Sequence, residues 1–553
     1  MIWLNARLLV LVAALCLAGS VSAQQAAEEP DASGVDATAG EVPAGDESPS
    51  AGESLPYPND PLFHSEGSWE QEFEDQWALK ALRVYTDMTR SLQPDEEQPP
   101  VVVAVIDTGL DYLHPDFAAE QLWHNPNEER NRHDDDDNDY VDDLIGWNFV
   151  DDNNNPWDQS GHGTHISGII TACTDNGVGI SAINPDAVVM PLKVANFVGQ
   201  ARSSMVAAAI YYAVDNGARV INLSLGGELA TQAERGAAEY AHEQGVLIVV
   251  SAGNKGLDAG QFGYAGLPHV LVVAASDLNG ERAGFSNFGA DVEVIAPGVD
   301  VLSLRARDTD FIALSNPPDY PEGAAFVGDD EAYYRASGTS FAAAEVSGLA
   351  SRIMTLKPEL SAEEVKRLLV QTAVDVGTPG VDQRSGYGRV DLVRALAGEP
   401  GEFVEARLAG VELELKDQQV WINFKGVADA ADFASATVEI KPAAGAFPEA
   451  PSEEDDGKRK KRKSRKEREA EEAAAQARAA LMAWQPVFPP LTAAREGVLG
   501  SVDLAALVKM TGGATSWDIR LLVESADGGR RESRMAMALP TPPEQQQQEA
   551  TGE

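Results

Sequence analysis

A serine at position 340 stands in "SGTSFAAAEVSG", ahead of an alanine run of helical character. Serine in that setting caps a helix more often than it attacks anything. A hydroxyl becomes a nucleophile only when a base removes its proton, and the usual base is a histidine oriented by a buried carboxylate. The chain offers both. "GHGTHISG" places His162 between Gly161 and Gly163, which admit another backbone close to the ring. "VVVAVIDTGLD" runs six apolar residues into Asp107. A carboxylate at the end of a buried strand must be paired. "SAGN" adds Asn254, whose side-chain amide, with the backbone N–H of Ser340, would meet the negative charge that acyl transfer develops on a carbonyl oxygen.

Other chemistries fit less well. Asp-Thr-Gly also marks paired-carboxylate peptidases, but those need a second copy, and the chain has no second Asp-Thr-Gly or Asp-Ser-Gly. A formal net charge of −46 speaks against nucleic acid as a partner. Zinc lacks the His and Cys cluster it needs. Calcium is better served. "HDDDDNDYVDD" packs seven aspartates into eleven residues. Asp134, Asp136 and Asn138 at alternating positions and then the Tyr140 carbonyl match the start of a calcium loop, which Asp142 or Asp143 would complete. The glutamate that closes an EF-hand is missing, since Ile145 stands there.

The elements that must position these residues follow from hydrophobic patterning. From 100 to about 398, continuous β-branched runs ("VVVAVID", "AVVMPLKV", "RVINLSL", "GVLIVVSAG", "HVLVVAAS") alternate with amphipathic stretches such as 203–217 and 230–244. Apolar strands separated by helices predict a doubly wound α/β domain around a parallel sheet. Asp107 and the Ser251-Ala252-Gly253-Asn254 stretch fall at carboxyl ends of strands, where such sheets gather their sites. After 399 the period drops to two, which predicts a smaller C-terminal all-β, sandwich-like domain with a turn at Asp527-Gly528-Gly529.

The expected organisation is a signal peptide over 1–23, a disordered acidic leader over 24–55, and the α/β domain over 56–398. The β domain spans 399–543, with a charged insertion at 452–480, and a disordered tail covers 544–553. The apolar core of the first segment, about ten residues, is too short to span a bilayer. Export to the periplasm or the medium is therefore expected, with no membrane association after signal removal. Two cysteines, one inside the signal, leave Cys173 alone. The basic run "KRKKRKSRK" lies between acidic flanks and reads as a solvated linker.

In the order "DTG", "GHGTHISG", "SAGN" and "SGTSFAA", the motifs resemble those of the subtilisin family of serine peptidases, over about 56–398. The resemblance implies a triad of Asp107, His162 and Ser340 with Asn254 in the oxyanion hole. An extended polypeptide substrate would pair with Ser224-Leu225-Gly226. The primary pocket would lie between that strand and Ser251-Ala252-Gly253. "NFVDDNNNPWD" resembles a further calcium loop of some thermostable relatives, with Asn148, Asp151 and Asn153 as ligands. The implied protein is a secreted, monomeric serine endopeptidase braced by structural calcium. The alternative is a catalytically silent relative that binds peptides or serves in surface adhesion. One departure stands out: Ala344-Glu345 replaces the family's Pro-His after the serine. In the first helical turn Glu345 suits the helix dipole, and its charge is expected to raise the pKa of a nearby His162.

Overall fold

The computed structural model describes residues 57–95, 97–227, 229–309, 325–328, 330–416, 418–444, 446, 476 and 480–539. The signal, leader and tail lie outside the described residues, as do nearly all of the charged insertion and the acidic stretch 310–324.

Seven strands form one parallel sheet: β1 (Val102–Asp107), β2 (Trp147–Asn148), β3 (Val188–Lys193), β4 (Val220–Leu223), β5 (Leu247–Ser251), β6 (Leu271–Ser276) and β7 (Val294–Pro297), in the order β2-β3-β1-β4-β5-β6-β7. Their valines and isoleucines, Val102 apart, are buried, and they serve both faces. One apolar cluster holds Val103, Val105, Val249 and Val273; the other holds Ala104, Ile106, Ile221 and Ile248. Each such side chain contributes about 1.5–3 kcal/mol when fully buried. Continuous apolar strands are the sequence signature of this two-sided burial.

Helices α1 (His162–Thr171), α2 (Ser203–Asp215), α3 (Gln232–Glu243), α4 (Thr339–Leu356) and α5 (Ala362–Gln371) flank the sheet. Helices α2 and α3 are slightly shorter than patterning predicted. Gly217 (φ 82°) and Gly245 (φ 75°) turn the chain left-handed just past their ends. Thr231–Glu234 and Ser361–Glu364 capping boxes start α3 and α5. Helix α4 is buried from Thr339 to Met354, which its small residues permit. A Cβ on Gly348 would meet Ile183 at 2.9 Å. Three antiparallel strands, β8 (Val301–Leu304), β9 (Phe326–Val327) and β10 (Tyr333–Ala336), lead the chain into α4.

The segment before β1 belongs to the same core. A short helix, Trp77–Ala81, buries Trp77, Ala78 and Leu79. Trp77 Nε1 donates to the Val299 carbonyl at 3.1 Å, and Arg83 Nε donates to Asp391 at 2.7 Å.

Beyond 403 the structure turns to antiparallel sheets. Strands β11 (Val404–Lys416), β12 (Gln419–Ala430) and β15 (Arg495–Asp503) form one. Strands β13 (Phe433–Pro442), β14 (Gln485–Pro486), β16 (Ser516–Ser525) and β17 (Arg530–Ala538) form the other, in the order β14-β13-β16-β17. Val438, Ile440, Trp517, Ile519 and Leu521 share one core with Leu408, Ile422 and Phe424. The outer edge of β17 is engaged at one point. Val381 donates to the Glu532 carbonyl (2.7 Å) and accepts from the Arg534 N–H (2.9 Å). Exposed strand edges invite aggregation, and this pairing satisfies part of one from within the chain.

Candidate active site

Strand β1 delivers Asp107 to the carboxyl edge of the sheet, fully buried. Its Oδ1 accepts the Thr108 N–H at 2.7 Å and the His162 Nδ1–H at 2.8 Å. A carboxylate facing Nδ1 makes that nitrogen the donor and leaves Nε2 to accept. His162 opens α1, and its ring is buried. The close approach of helix and strand depends on Gly163, where a Cβ would lie 2.2 Å from the Gly109 carbonyl oxygen. Gly161, at φ 103°, supplies the left-handed turn just before the helix.

Asp158 was not singled out from the sequence, yet it fixes this corner. Its Oδ1 accepts the Ser160 and Gly161 N–H groups, both at 2.9 Å. Its Oδ2 accepts from the Thr164 N–H and hydroxyl at 3.0 and 2.8 Å. The signal was present: an aspartate just ahead of a helix start is capping spacing. Lys193 was also missed. Its ammonium is buried and donates to the Thr108 carbonyl at 2.6 Å. Burial lowers its pKa, and the charges of Asp158, Asp151 and Asp107 oppose that.

Burial also works to lower the pKa of His162. The Asp107 charge and hydrogen bond, with a further contribution from Asp158, overcome it and leave the pKa raised. Glu345 is not among these causes, contrary to expectation. It points away into the interior, 1% exposed, and neither carboxyl oxygen has a hydrogen-bond partner. It lines a small cavity with Trp77, Ile169, Ser181 and Leu302. Burial alone holds its pKa well above the usual carboxylate range. The dipole argument fails because the helix starts at Thr339, which puts Glu345 in the second turn and not the first, and because packing places this face of α4 against the core. His165, on the same motif as His162, is structural: its Nε2 lies 2.9 Å from the Tyr334 carbonyl, and burial pushes its pKa down to about 3.

Ser340 lies in the first turn of α4 and is 8% exposed. Its hydroxyl donates to the Ser224 carbonyl at 3.1 Å, and the Ser224 hydroxyl donates back to the Ser340 carbonyl at 3.1 Å. The ring of Phe341, the next residue, lies 5.7 Å from the His162 ring, centroid to centroid. Histidine and serine therefore share one corner of the sheet. Asn254 is oriented by its oxygen, which accepts the Thr339 N–H and hydroxyl, both at 2.8 Å. The amide NH₂ is thereby turned outward, beside Gly338. Helix α4 adds the positive end of an 18-residue dipole.

Ser224, Leu225 and Gly226 follow β4; Ser251 ends the parallel neighbour β5, and Ala252 and Gly253 follow it. The Asn287 amide donates to the Ala252 carbonyl at 2.8 Å, and Gly263 N–H donates to the Gly227 carbonyl at 3.1 Å. A Cβ on Gly226 or Gly227 would meet nothing within 4 Å, so this backbone borders open space.

The first acidic loop gathers three carboxylates. Glu128, Asp136 and Asp143 bring ligand oxygens within 4.8 Å of one another. Asp136 Oδ1 is buried without a partner. Such a set suits a hard cation with oxygen ligands. Glu128 was not anticipated. Its carboxylate also accepts the backbone N–H groups of Asp135, Asp136 and Asp142. Asp134 and Asn138 take supporting parts. Asp134 accepts the Asn138 and Asp139 N–H groups, and the Asn138 amide donates to Asp143 at 3.2 Å. The Tyr140 ring packs 5.0 Å from Tyr212, whose hydroxyl donates to Asp143.

In the second loop Asn148 acts as a donor. Its Oδ1 accepts the Val150 and Asp151 N–H groups at 3.0 Å, which fixes the amide orientation. Its NH₂ then donates to the Asp151 carboxylate (3.0 Å) and the Asn155 carbonyl (3.1 Å). Asn153 accepts the Asn155 N–H at 2.9 Å. An amide NH₂ thus engages the Asp151 carboxylate, one of the anticipated ligands.

A family model described as "Subtilase family" matches residues 99–388. The thermophilic serine proteinase of Bacillus sp. (strain AK1) is 33% identical over 294 residues, covering 53% of this chain and 61% of that protein. Subtilisin DY of Bacillus licheniformis is 35% identical over 280 residues, covering 50% of this chain and 85% of that protein. A crystal structure of a lanthipeptide protease, 27% identical, aligns with a TM-score of 0.45 over 62% of this chain and 98% of that one.

Proposed function

The chain belongs to the subtilase family, and from that premise we propose that it is a serine endopeptidase acting through Asp107, His162 and Ser340. What supports the reading most is the buried 2.8 Å bond from His162 to Asp107 beside a serine at a helix N-terminus. Asp107 holds the imidazole with Nε2 as acceptor, and Nε2 takes the Ser340 proton as Oγ attacks a peptide carbonyl. The charge that develops on the carbonyl oxygen is met by the Asn254 amide and the Ser340 N–H. His162 then protonates the leaving amine, and water activated by the same imidazole releases the acyl group. The substrate backbone lies along Ser224-Leu225-Gly226. Purified protein should cleave internal bonds of casein or an unstructured peptide. A folded protein that binds such peptides and leaves them uncut contradicts this.

The pH profile follows from His162. Its neutral form is the base, and a raised pKa keeps it protonated to higher pH. The acid limb of kcat/KM should therefore fall above the ordinary histidine value of about 6.5. Asp158→Asn removes one of the charges responsible and should move that limb to lower pH. A limb below 6.5 in the parent protein contradicts the assignment.

Calcium fits the first loop, held by Glu128, Asp136 and Asp143 with Asp134, Asn138 and Tyr140 in support. Bound there it supplies cross-linking charge, relieving the repulsion among three carboxylates. At a concentration a hundredfold above Kd it would stabilise by about 2.7 kcal/mol, or roughly 5 °C in Tm. EDTA should remove that increment, and Glu128→Gln with Asp136→Asn should make Tm insensitive to calcium. A parent Tm unchanged by EDTA contradicts a structural ion.

The chain spans 61% of the first of these relatives, and its role as a secreted enzyme is part of this reading. Among the described residues no helix is long and apolar enough to cross a membrane. The β domain from 399 onward serves as a docked brace, which agrees with the strand pairing through Val381.

A further inference from the structure

A series of contacts links the residues beside the nucleophile. Ser340 bonds to Ser224, and the chain runs on through Leu225 and Gly226 to Gly227. Gly227 accepts the N–H of Gly263, whose predecessor Phe262 carries the Lys255 ammonium over its ring, 5.0 Å from the centroid. Lys255 directly follows Asn254, which returns to Ser340 through its bonds to Thr339. The two glycines on one side face open space. On the other side, the Asn287 side-chain oxygen fixes the Lys255 N–H at 3.0 Å while its amide holds Ala252. A lysine among these residues is a local exception in a chain of net charge −46.

A residue whose carbonyl sits between Asn254 and Ser340 has its Cα one bond away, which brings its side chain beside these residues. Lys255 is exposed, and the Phe262 ring supports the ammonium without neutralising it. We propose that Lys255 is a specificity-determining residue that selects substrates with a carboxylate side chain, Glu ahead of the shorter Asp, at the residue supplying the scissile carbonyl. This deepens the peptidase reading and rests on it. The acidic surface repels such substrates at long range. At 0.15 M salt that field fades over about 8 Å, while a contact pair persists. An exposed pair of this kind is worth roughly a 1.4- to fivefold preference.

The test uses the full chain in calcium at 0.15 M salt. Matched peptides differ only in Glu, Gln, Leu or Lys before the scissile bond, and a fluorophosphonate count of reactive Ser340 is made on the same sample. The Glu peptide should exceed the Gln peptide in kcat/KM by about that factor. Lys255→Met should bring the ratio to about one, and Lys255→Glu should turn the preference toward Lys. Labelled protein with a Glu-to-Gln ratio of one, or a ratio untouched by Lys255→Met, overturns the inference and leaves the peptidase reading standing. Protein that neither labels nor cleaves overturns both.

Discussion

Replacing Ser340 by Ala should lower kcat on a peptide substrate by about 10⁶ while leaving the fold intact. The serine makes one hydrogen bond from its hydroxyl, to the Ser224 carbonyl, and the lost atom is small, so Tm should move by no more than a few degrees. His162→Ala should cost as much, and the double variant no more than either, because a nucleophile without its base and a base without its nucleophile are equally idle. Asp107→Asn keeps the geometry but admits the wrong tautomer, for a loss of about 10⁴. Asn254→Ala should cost 10²–10³ or so, since the Ser340 N–H and the helix dipole remain. Steady-state kinetics on one substrate, with thermal unfolding of each variant, checks the series. A Ser340→Ala protein retaining a tenth of parental activity would remove the serine from the chemistry.

Glu345→Gln should stabilise the protein, and more so as pH rises. In the native state the carboxyl is buried without a partner and its pKa is well above the model-peptide value. In the unfolded chain it ionises near 4.5. Below that value both states hold the proton and the group is neutral in its effect. As pH rises past it, the unfolded state loses the proton first, and native stability falls until the native pKa is reached. Gln does not titrate, so the Tm difference between variant and parent should be near zero at pH 4 and grow to several degrees or more at pH 8. The cavity around Glu345 also borders Asp75, but that carboxylate is taken up by Ser65, Ser68 and Gln71. A difference independent of pH would mean that Glu345 ionises freely inside the fold. Ionisation would strain the first turns of α4, which carry Ser340, so alkaline inactivation should be slower in the Gln variant as well.

The sheet could be read from the chain because parallel strands covered on both faces leave continuous apolar runs, and "VVVAVID" or "GVLIVVS" admits little else. The candidate Asp, His, Asn and Ser positions could be singled out because each sits in a glycine- or alanine-rich motif, and the structure shows one such close backbone approach, Gly163 over Gly109. Residues that act through tertiary packing were not legible. Glu345 reads in sequence as a charge suited to the helix dipole near His162, and is placed in the interior by the burial of α4 from Thr339 to Met354. Glu128 lies outside the aspartate run yet folds back onto it through three backbone N–H groups. Asn148 reads as a metal ligand, and only the two N–H groups bonded to its oxygen reveal that its NH₂ faces Asp151 as a donor. The pairing of Val381 with β17 joins segments some 150 positions apart, which no local pattern encodes.

The proton relay from Ser340 to His162 is tested most directly by treating the folded protein with a fluorophosphonate and locating the adduct by mass spectrometry. A single adduct on the peptide containing Ser340, absent in His162→Ala protein of unchanged Tm, is the predicted result. No adduct on folded parent protein, or the same labelling rate without the imidazole, would contradict it.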